Sequence, residues 1–209
     1  MATVFDTSSF LSAADWARFL GEVLPRQGCW TDNEYLVLTE HGNRLVEFTD
    51  GYLEALPVPT ASHQSILGCL YRVFADFVER RGGWVLFAPV RLRIREGKYR
   101  EPDLLLLLSA EDSRGQDSFW TGADLALEVV SPDNPERDLV EKRADYAEGG
   151  IKEYWIVNPQ TETITVFVLQ GNAYAQTGCY RRGEKSTSVL MPDLTVDVAA
   201  AFEAGRPRR

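Results

Sequence analysis

The alternation of apolar and polar positions divides the chain into short elements. "SAADWARFLGEVL" has apolar residues at helical spacing and opens on Ser12, which can cap a helix. "NRLVEFTDGYLEALPVP" alternates with period two on either side of Asp50-Gly51, the pattern of a β-hairpin. "SHQSILGCLYRVFADFVERRGG" predicts an amphipathic helix, capped by Ser62 and stopped by Gly82-Gly83. "WVLFAPVRLRI" reads as one or two strands, "KYREPDLLLLLS" as another entered through Pro102, and "ADLALEVVSP" as the next. A second helix is expected in "DNPERDLVEKRADYAEGG", with Asn134 as cap, Pro135 at the first helical position and Gly149-Gly150 as stop. "KEYWIVNP" is a strand, "ETITVFVLQGNAYAQT" a hairpin around Gly171-Asn172, and "LMPDLTVDVAAAF" a short closing segment. From residue 63 the order is helix, strands, helix, strand, which predicts a mixed sheet flanked by helices in an α/β or α+β fold.

Composition narrows the class. With 209 residues, 44% of them hydrophobic, the chain can bury one sizeable core. Its apolar runs have strand length, so no membrane span is expected. The first residues have no basic segment followed by an apolar one, and no signal peptide is expected. Cys29, Cys69 and Cys179 form no CxxC and no zinc-type cluster with His41 or His63. Free thiols in a reducing, cytoplasmic setting follow, and any metal should be bound by oxygen. A net charge of −9 argues against a general nucleic-acid binder. Arg91, Arg93, Arg95, Lys98 and Arg100 concentrate positive charge locally; a solvated strand face is the simpler reading and a basic groove the alternative.

Three positions invite chemistry. Glu128 is an acid inside the apolar run "LALEVV", where a charge needs a partner, a proton or a metal. Asp103 precedes five leucines, and Lys142 lies on the helix after Glu128. Two carboxylates on neighbouring strands stay ionised together only with a cation between them. Mg²⁺ typically uses one or two carboxylates with waters and substrate oxygens, and the Val129 carbonyl could add a ligand. Each position also has a structural reading. Glu128 could bond an Arg or backbone amides, and Asp103 could make a local turn bond. Spacing alone favours a solvated i,i+4 ion pair for Asp138 and Lys142, although Asp138, Lys142, Asp145 and Tyr146 share a helix face. Glu54 ends the early hairpin, and His63, at the start of a helix, reads first as a surface or capping residue. Tyr154, Trp155 and Phe167 read as packing residues rather than base-stacking platforms.

"EPDLLLLL" together with "LALEVVSPDNPERDLVEKRADYAEGGIKEYWIVNP" resembles the Uma-two family, described as "putative restriction endonucleases" within the PD-(D/E)xK superfamily. "LVEFTDGYLEALPVPTASHQSI" and "LMPDLTVDVAAAF" extend the resemblance over about residues 31 to 202. It implies a restriction-endonuclease-like αβββαβ core at about 63–169, in a single domain spanning 1–209. An N-terminal helix and hairpin (12–57), a C-terminal β-hairpin and a disordered tail (203–209) complete that expectation. It also implies Asp103, Glu128 and the Val129 carbonyl as ligands of Mg²⁺ or Mn²⁺, and Glu54 and His63 as accessory site residues. The superfamily lysine is expected at position 130, where this chain has Val130; in such families Lys142 on the next helix takes its place. The implied activity is hydrolysis of DNA phosphodiester bonds. The rivals are a non-catalytic binding or assembly module, with a homodimer as one form, and a hydrolase of a small phosphorylated substrate.

Overall fold

Why the leucine run at 104–108 shows no alternation is clear from the computed structural model, which describes residues 24–42, 44–132 and 134–206. Strand β6 (Leu104–Leu107) lies inside a six-stranded sheet covered on both faces, and a strand buried on both faces needs apolar residues at every position. The sheet order is β10-β9-β8-β7-β6-β3. Its strands are β3 (Trp84–Phe87), β6, β7 (Leu125–Val129), β8 (Glu153–Asn158), β9 (Thr163–Gln170) and β10 (Ala173–Arg181). Only β7 and β8 pair in parallel, so the sheet is mixed as expected.

One face of this sheet packs against helix α2 (Ala61–Glu79) and the closing helix α4 (Val198–Ala204), through Leu70, Phe74, Leu104, Leu106, Leu127, Trp155 and Phe202. The other face packs through Leu105, Leu107, Tyr154 and Ile156 against Tyr146 of helix α3 (Lys142–Glu148) and Leu92 of β4 (Leu92–Arg95). A four-stranded sheet, β2-β1-β5-β4, is built from the hairpin β1 (Val46–Thr49) and β2 (Tyr52–Ala55) with β4 and β5 (Lys98–Arg100). Tyr35, Phe48 and Tyr99 form a small core between it and helix α1 (Asp32–His41). The succession α2, β3, β6, β7, α3, β8 is the expected αβββαβ core, with β4 and β5 inserted into it.

Several elements differ from expectation. "KYREPDLLLLLS" is two strands in different sheets, because Pro102 donates no hydrogen bond and restricts Glu101, breaking the chain between β5 and β6. "WVLFAPVRLRI" likewise supplies β3 to one sheet and β4 to the other. Helix α2 is capped by Thr60, whose side chain accepts from the His63 N–H, while Ser62 lies inside the helix and donates to the Gly205 carbonyl. The helix after Pro135 contains a π-helical turn, Arg137–Glu141, before α3. Helix α1 went unread, although Thr31 and Glu34 form a capping box. The tail expected to be disordered from 203 is in place as far as it is described: Glu203 and Ala204 end α4, Gly205 and Arg206 follow, and 207–209 lie outside the described residues. A strand pair, β11 (Lys185–Thr187) with β12 (Thr195–Asp197), precedes α4. The helix expected from Ser12 lies outside the described residues. Among those described, no helix is long and apolar enough to cross a membrane.

The basic run does not form a free, solvated face. Arg95 pairs with Asp50 and Glu148, Lys98 with Asp145 and Glu148, and Arg100 with Asp145. Arg91 donates to Thr39, and Arg93 lies over the Phe119 ring. These side chains join the small sheet to α1 and α3, so most of their charge is spent inside the molecule. The three cysteines are free thiols, apart from one another.

Candidate active site

The antiparallel register of β6 and β7 creates the site. Leu104 faces Leu127 and Leu105 faces Ala126, so the register continued by one residue sets Asp103 opposite Glu128. Side chains at directly opposed positions lie about 5 Å apart at Cβ. Asp103 does not make a local turn bond. Its Oδ2 accepts the Val129 N–H across the strands at 2.7 Å and lies 3.0 Å from His63 Nε2. The same nitrogen lies 3.1 Å from the Val129 carbonyl oxygen. Both neighbours are acceptors, so Nε2 carries the hydrogen. Nδ1 is buried and has no partner among the described residues. Burial opposes the charged imidazolium, but Asp103 and the Val129 carbonyl outweigh it, and the His63 pKa is raised. His63 is therefore a partly buried partner of Asp103 that lines the cavity, and not a solvated surface residue.

Glu128 is 2% exposed. Its Oε1 accepts from the Tyr146 hydroxyl and lies 2.9 Å from the Lys142 ammonium. Burial lifts the Glu128 pKa well above the usual carboxylate range; Lys142 pulls it down, while Asp103 and Asp138 add to the rise. Lys142, at the start of α3, is 5% exposed and lies 3.3 Å from Asp138 and 3.9 Å from Glu47. Burial alone would discharge this ammonium, yet Glu128, Glu47, Asp138 and Asp103 together raise its pKa. The Asp138–Lys142 pair is thus a buried element of the site, not a solvated surface pair. Burial also raises Asp138, against the pull of Lys142 and the Ser131 N–H. Val130, buried and apolar, contributes no charge; the ammonium beside Glu128 comes from the helix.

The hairpin supplies a second group of residues. Glu47 and Glu54 are directly opposed on β1 and β2, and Arg137 donates one Nη to each. Burial pushes the Glu47 pKa up, but Lys142, Arg137 and Arg100 overcome it and hold the carboxyl low. Glu101, just before Pro102, is pushed up to about 7 by burial and by the charge of Glu47. Its Oε2 is buried and unpartnered among the described residues.

All six sequence candidates, Glu54, His63, Asp103, Glu128, Val129 and Lys142, line one cavity of about 270 Å³, together with Glu101, Arg137, Asp138 and the loop Leu56 to Thr60. Glu54, whose side chain is largely exposed, is bonded to Arg137. Glu47, Glu101 and Arg137 were missed in the sequence. Glu47 carried a readable signal, an acid in the apolar strand "VEF" like the one in "LALEVV"; Arg137 carried none.

Among the described residues, no three His, Cys, Asp or Glu side chains are arranged as a metal-binding cluster. The candidate donor set is smaller: Asp103, Glu128 and the Val129 carbonyl. It suits a hard divalent cation, which accepts few protein oxygens and completes its shell with water and substrate. The opposition of Asp103 and Glu128 and the excess of acids over cations around them fit such an ion.

A mixed sheet flanked by helices, with opposed strand carboxylates at the edge of a cavity, has the architecture of a nuclease fold. The sequence model of the Uma2 family, described as "Putative restriction endonuclease", matches residues 32–199, and the chain belongs to that family. A solved structure from Anabaena variabilis, titled as a "putative nuclease belonging to DUF820", superposes with a TM-score of 0.70 at 17% sequence identity. The match covers 87% of this chain and 100% of that one. At such low identity the likeness establishes the fold. No curated protein matches the chain.

Proposed function

We propose that the protein is a metal-dependent endonuclease that hydrolyses DNA phosphodiester bonds. One observation carries the reading: Asp103 and Glu128 oppose each other across β6 and β7, with the Lys142 ammonium 2.9 Å from Glu128, at one cavity. Asp103, Glu128 and the Val129 carbonyl would hold Mg²⁺ or Mn²⁺. When bound, such an ion polarises a phosphoryl oxygen and lowers the pKa of a coordinated water. Lys142, kept charged by its acid neighbours, orients that water or stabilises charge developing on the phosphate. His63 fixes the orientation of the Asp103 carboxylate and the Val129 carbonyl. Glu54 is accessory and acts through Arg137.

Calorimetric Mn²⁺ titration of the wild type beside Asp103→Asn and Glu128→Gln tests the site. Binding by the wild type and its loss in both folded variants is expected; equal binding by all three refutes the shared site. Plasmid and single-stranded DNA cleavage in Mg²⁺ then tests the substrate. The net charge of −9 and the internally paired basic run favour a second reading, a hydrolase of a small phosphorylated substrate. That reading predicts turnover of a small phosphate ester such as p-nitrophenyl phosphate, and no DNA cleavage.

A further inference from the structure

Three basic side chains line the cavity: His63, Arg137 and Lys142. Two of them are committed to buried partners. Lys142 is enclosed by Glu128, Asp138 and Glu47, and His63 lies between Asp103 and the Val129 carbonyl. Arg137 differs. One Nη holds buried Glu47, but the other holds Glu54, whose side chain is 62% exposed. Its Nε is buried and has no partner among the described residues. Glu47 does not depend on Arg137 alone, because Arg100 and Lys142 also lie within 3.5 and 3.9 Å of it. The Glu54 half of the bridge is therefore the exchangeable half, since an exposed ion pair contributes little. A phosphodiester offers a guanidinium what a carboxylate offers: two anionic oxygens suited to paired N–H donors.

We propose that Arg137 binds the substrate phosphate and that Glu54 occupies its guanidinium until the substrate displaces it. This rests on the reading that the cavity accepts a phosphodiester. It assigns Arg137 to substrate binding and Glu54 to competition with the substrate, a mimic of the phosphate carried on the hairpin. It also accounts for two directly opposed acids on β1 and β2, an arrangement that is unfavourable unless a cation spans them.

The test is the binding of a fluorescein-labelled 15-nucleotide single-stranded DNA, followed by anisotropy in Ca²⁺ at several salt concentrations. Arg137→Gln should weaken binding about tenfold or more and make the salt dependence shallower by about one phosphate contact. Glu54→Gln should tighten binding several-fold. The double variant decides between a specific and a general charge effect: the gain from Glu54→Gln should vanish when Arg137 is already Gln. A gain that persists in the double variant overturns the proposal, as does wild-type affinity in Glu54→Gln. If Arg137→Gln does not fold, Arg137→Lys takes its place, because it keeps a cation near Glu47 but loses the paired donors. If the wild type binds and cleaves no DNA, the endonuclease reading fails separately. Inorganic phosphate then decides the role of Arg137: a rise in Tm that is larger in Glu54→Gln and absent in the Arg137 variant supports it, and no rise in the wild type overturns it.

Discussion

Lys142 and Glu128 stand 2.9 Å apart, yet their removal should have unequal consequences for stability. Lys142 compensates Glu128, Asp138 and Glu47, so Lys142→Ala leaves three buried acids short of a cation. Breaking a buried pair in this direction costs about 3–5 kcal/mol, and urea denaturation should show a loss of that size. Glu128→Gln instead removes a charge that burial already disfavours, and should cost less than Lys142→Ala in the absence of metal, because Asp138 and Glu47 still partner the ammonium. Loss of activity in Lys142→Ala is thus informative only beside its folding curve, whereas loss in Glu128→Gln can be read directly. Glu101 allows a prediction in pH. Its pKa is raised from 4.5 in the unfolded chain to about 7 in the fold. Its contribution is therefore complete below about pH 4.5 and is lost as pH rises through 7. In EDTA, stability should fall across that window, by on the order of 3 kcal/mol from this group. Glu101→Gln should flatten that part of the curve, and an unchanged slope would refute the assignment.

At the scale of elements, legibility follows the range of the interaction that makes each one. The Asp50-Gly51 hairpin is readable because its turn needs positive φ at two adjacent residues, and Asp50 at 47° and Gly51 at 89° supply it. The cap at Thr31 was equally local and could have been found. The π turn at Arg137–Glu141 was not readable, because a helical period of 3.6 places Asp138 and Lys142 on one face whether the surroundings are water or a buried cluster. Only the tertiary structure, which lays the hairpin over this turn, separates the two cases. The hairpin can therefore be tested as a unit. A Cβ on Gly51 would lie 2.6 Å from the carbonyl carbon and oxygen of Gly28, at a φ that alanine disfavours. Gly51→Ala should destabilise by at least about 2 kcal/mol. It should also weaken the grip of Glu47 and Glu54 on Arg137, changing DNA affinity with Asp103, Glu128 and Lys142 all still present; unchanged urea midpoint and affinity would show that the turn tolerates the strain.

For the whole molecule, the fold and the Asp103–Glu128–Lys142 set were legible because they lie within one stretch of family-like sequence. The bridge from Arg137 to Glu47 and Glu54 was not, although Glu54 itself was named, because Arg137 lies more than 80 positions from both and meets them only in the folded chain. Net charge was informative in a way that the basic run alone was not. That run invites a groove for a polyanion, but in the fold its arginines and lysine are bonded to Asp50, Asp145, Glu148 and Thr39. A chain with net charge −9 and two permanent cations at its cavity, Arg137 and Lys142, can neutralise few phosphates. The slope of log affinity against log salt is about −0.9 per phosphate neutralised on duplex DNA. Two contacts therefore predict a slope no steeper than about −2, and a loss of about 3- to 12-fold between 50 and 200 mM salt. A general DNA binder making six to ten contacts loses about 10³–10⁵ over the same range. Anisotropy titrations of a short duplex across those concentrations separate the two cases. A shallow slope means that recognition is confined to the cavity and that affinity depends on Arg137 and on the cation proposed at Asp103 and Glu128. A slope of −6 or steeper would require a basic surface beyond the cavity.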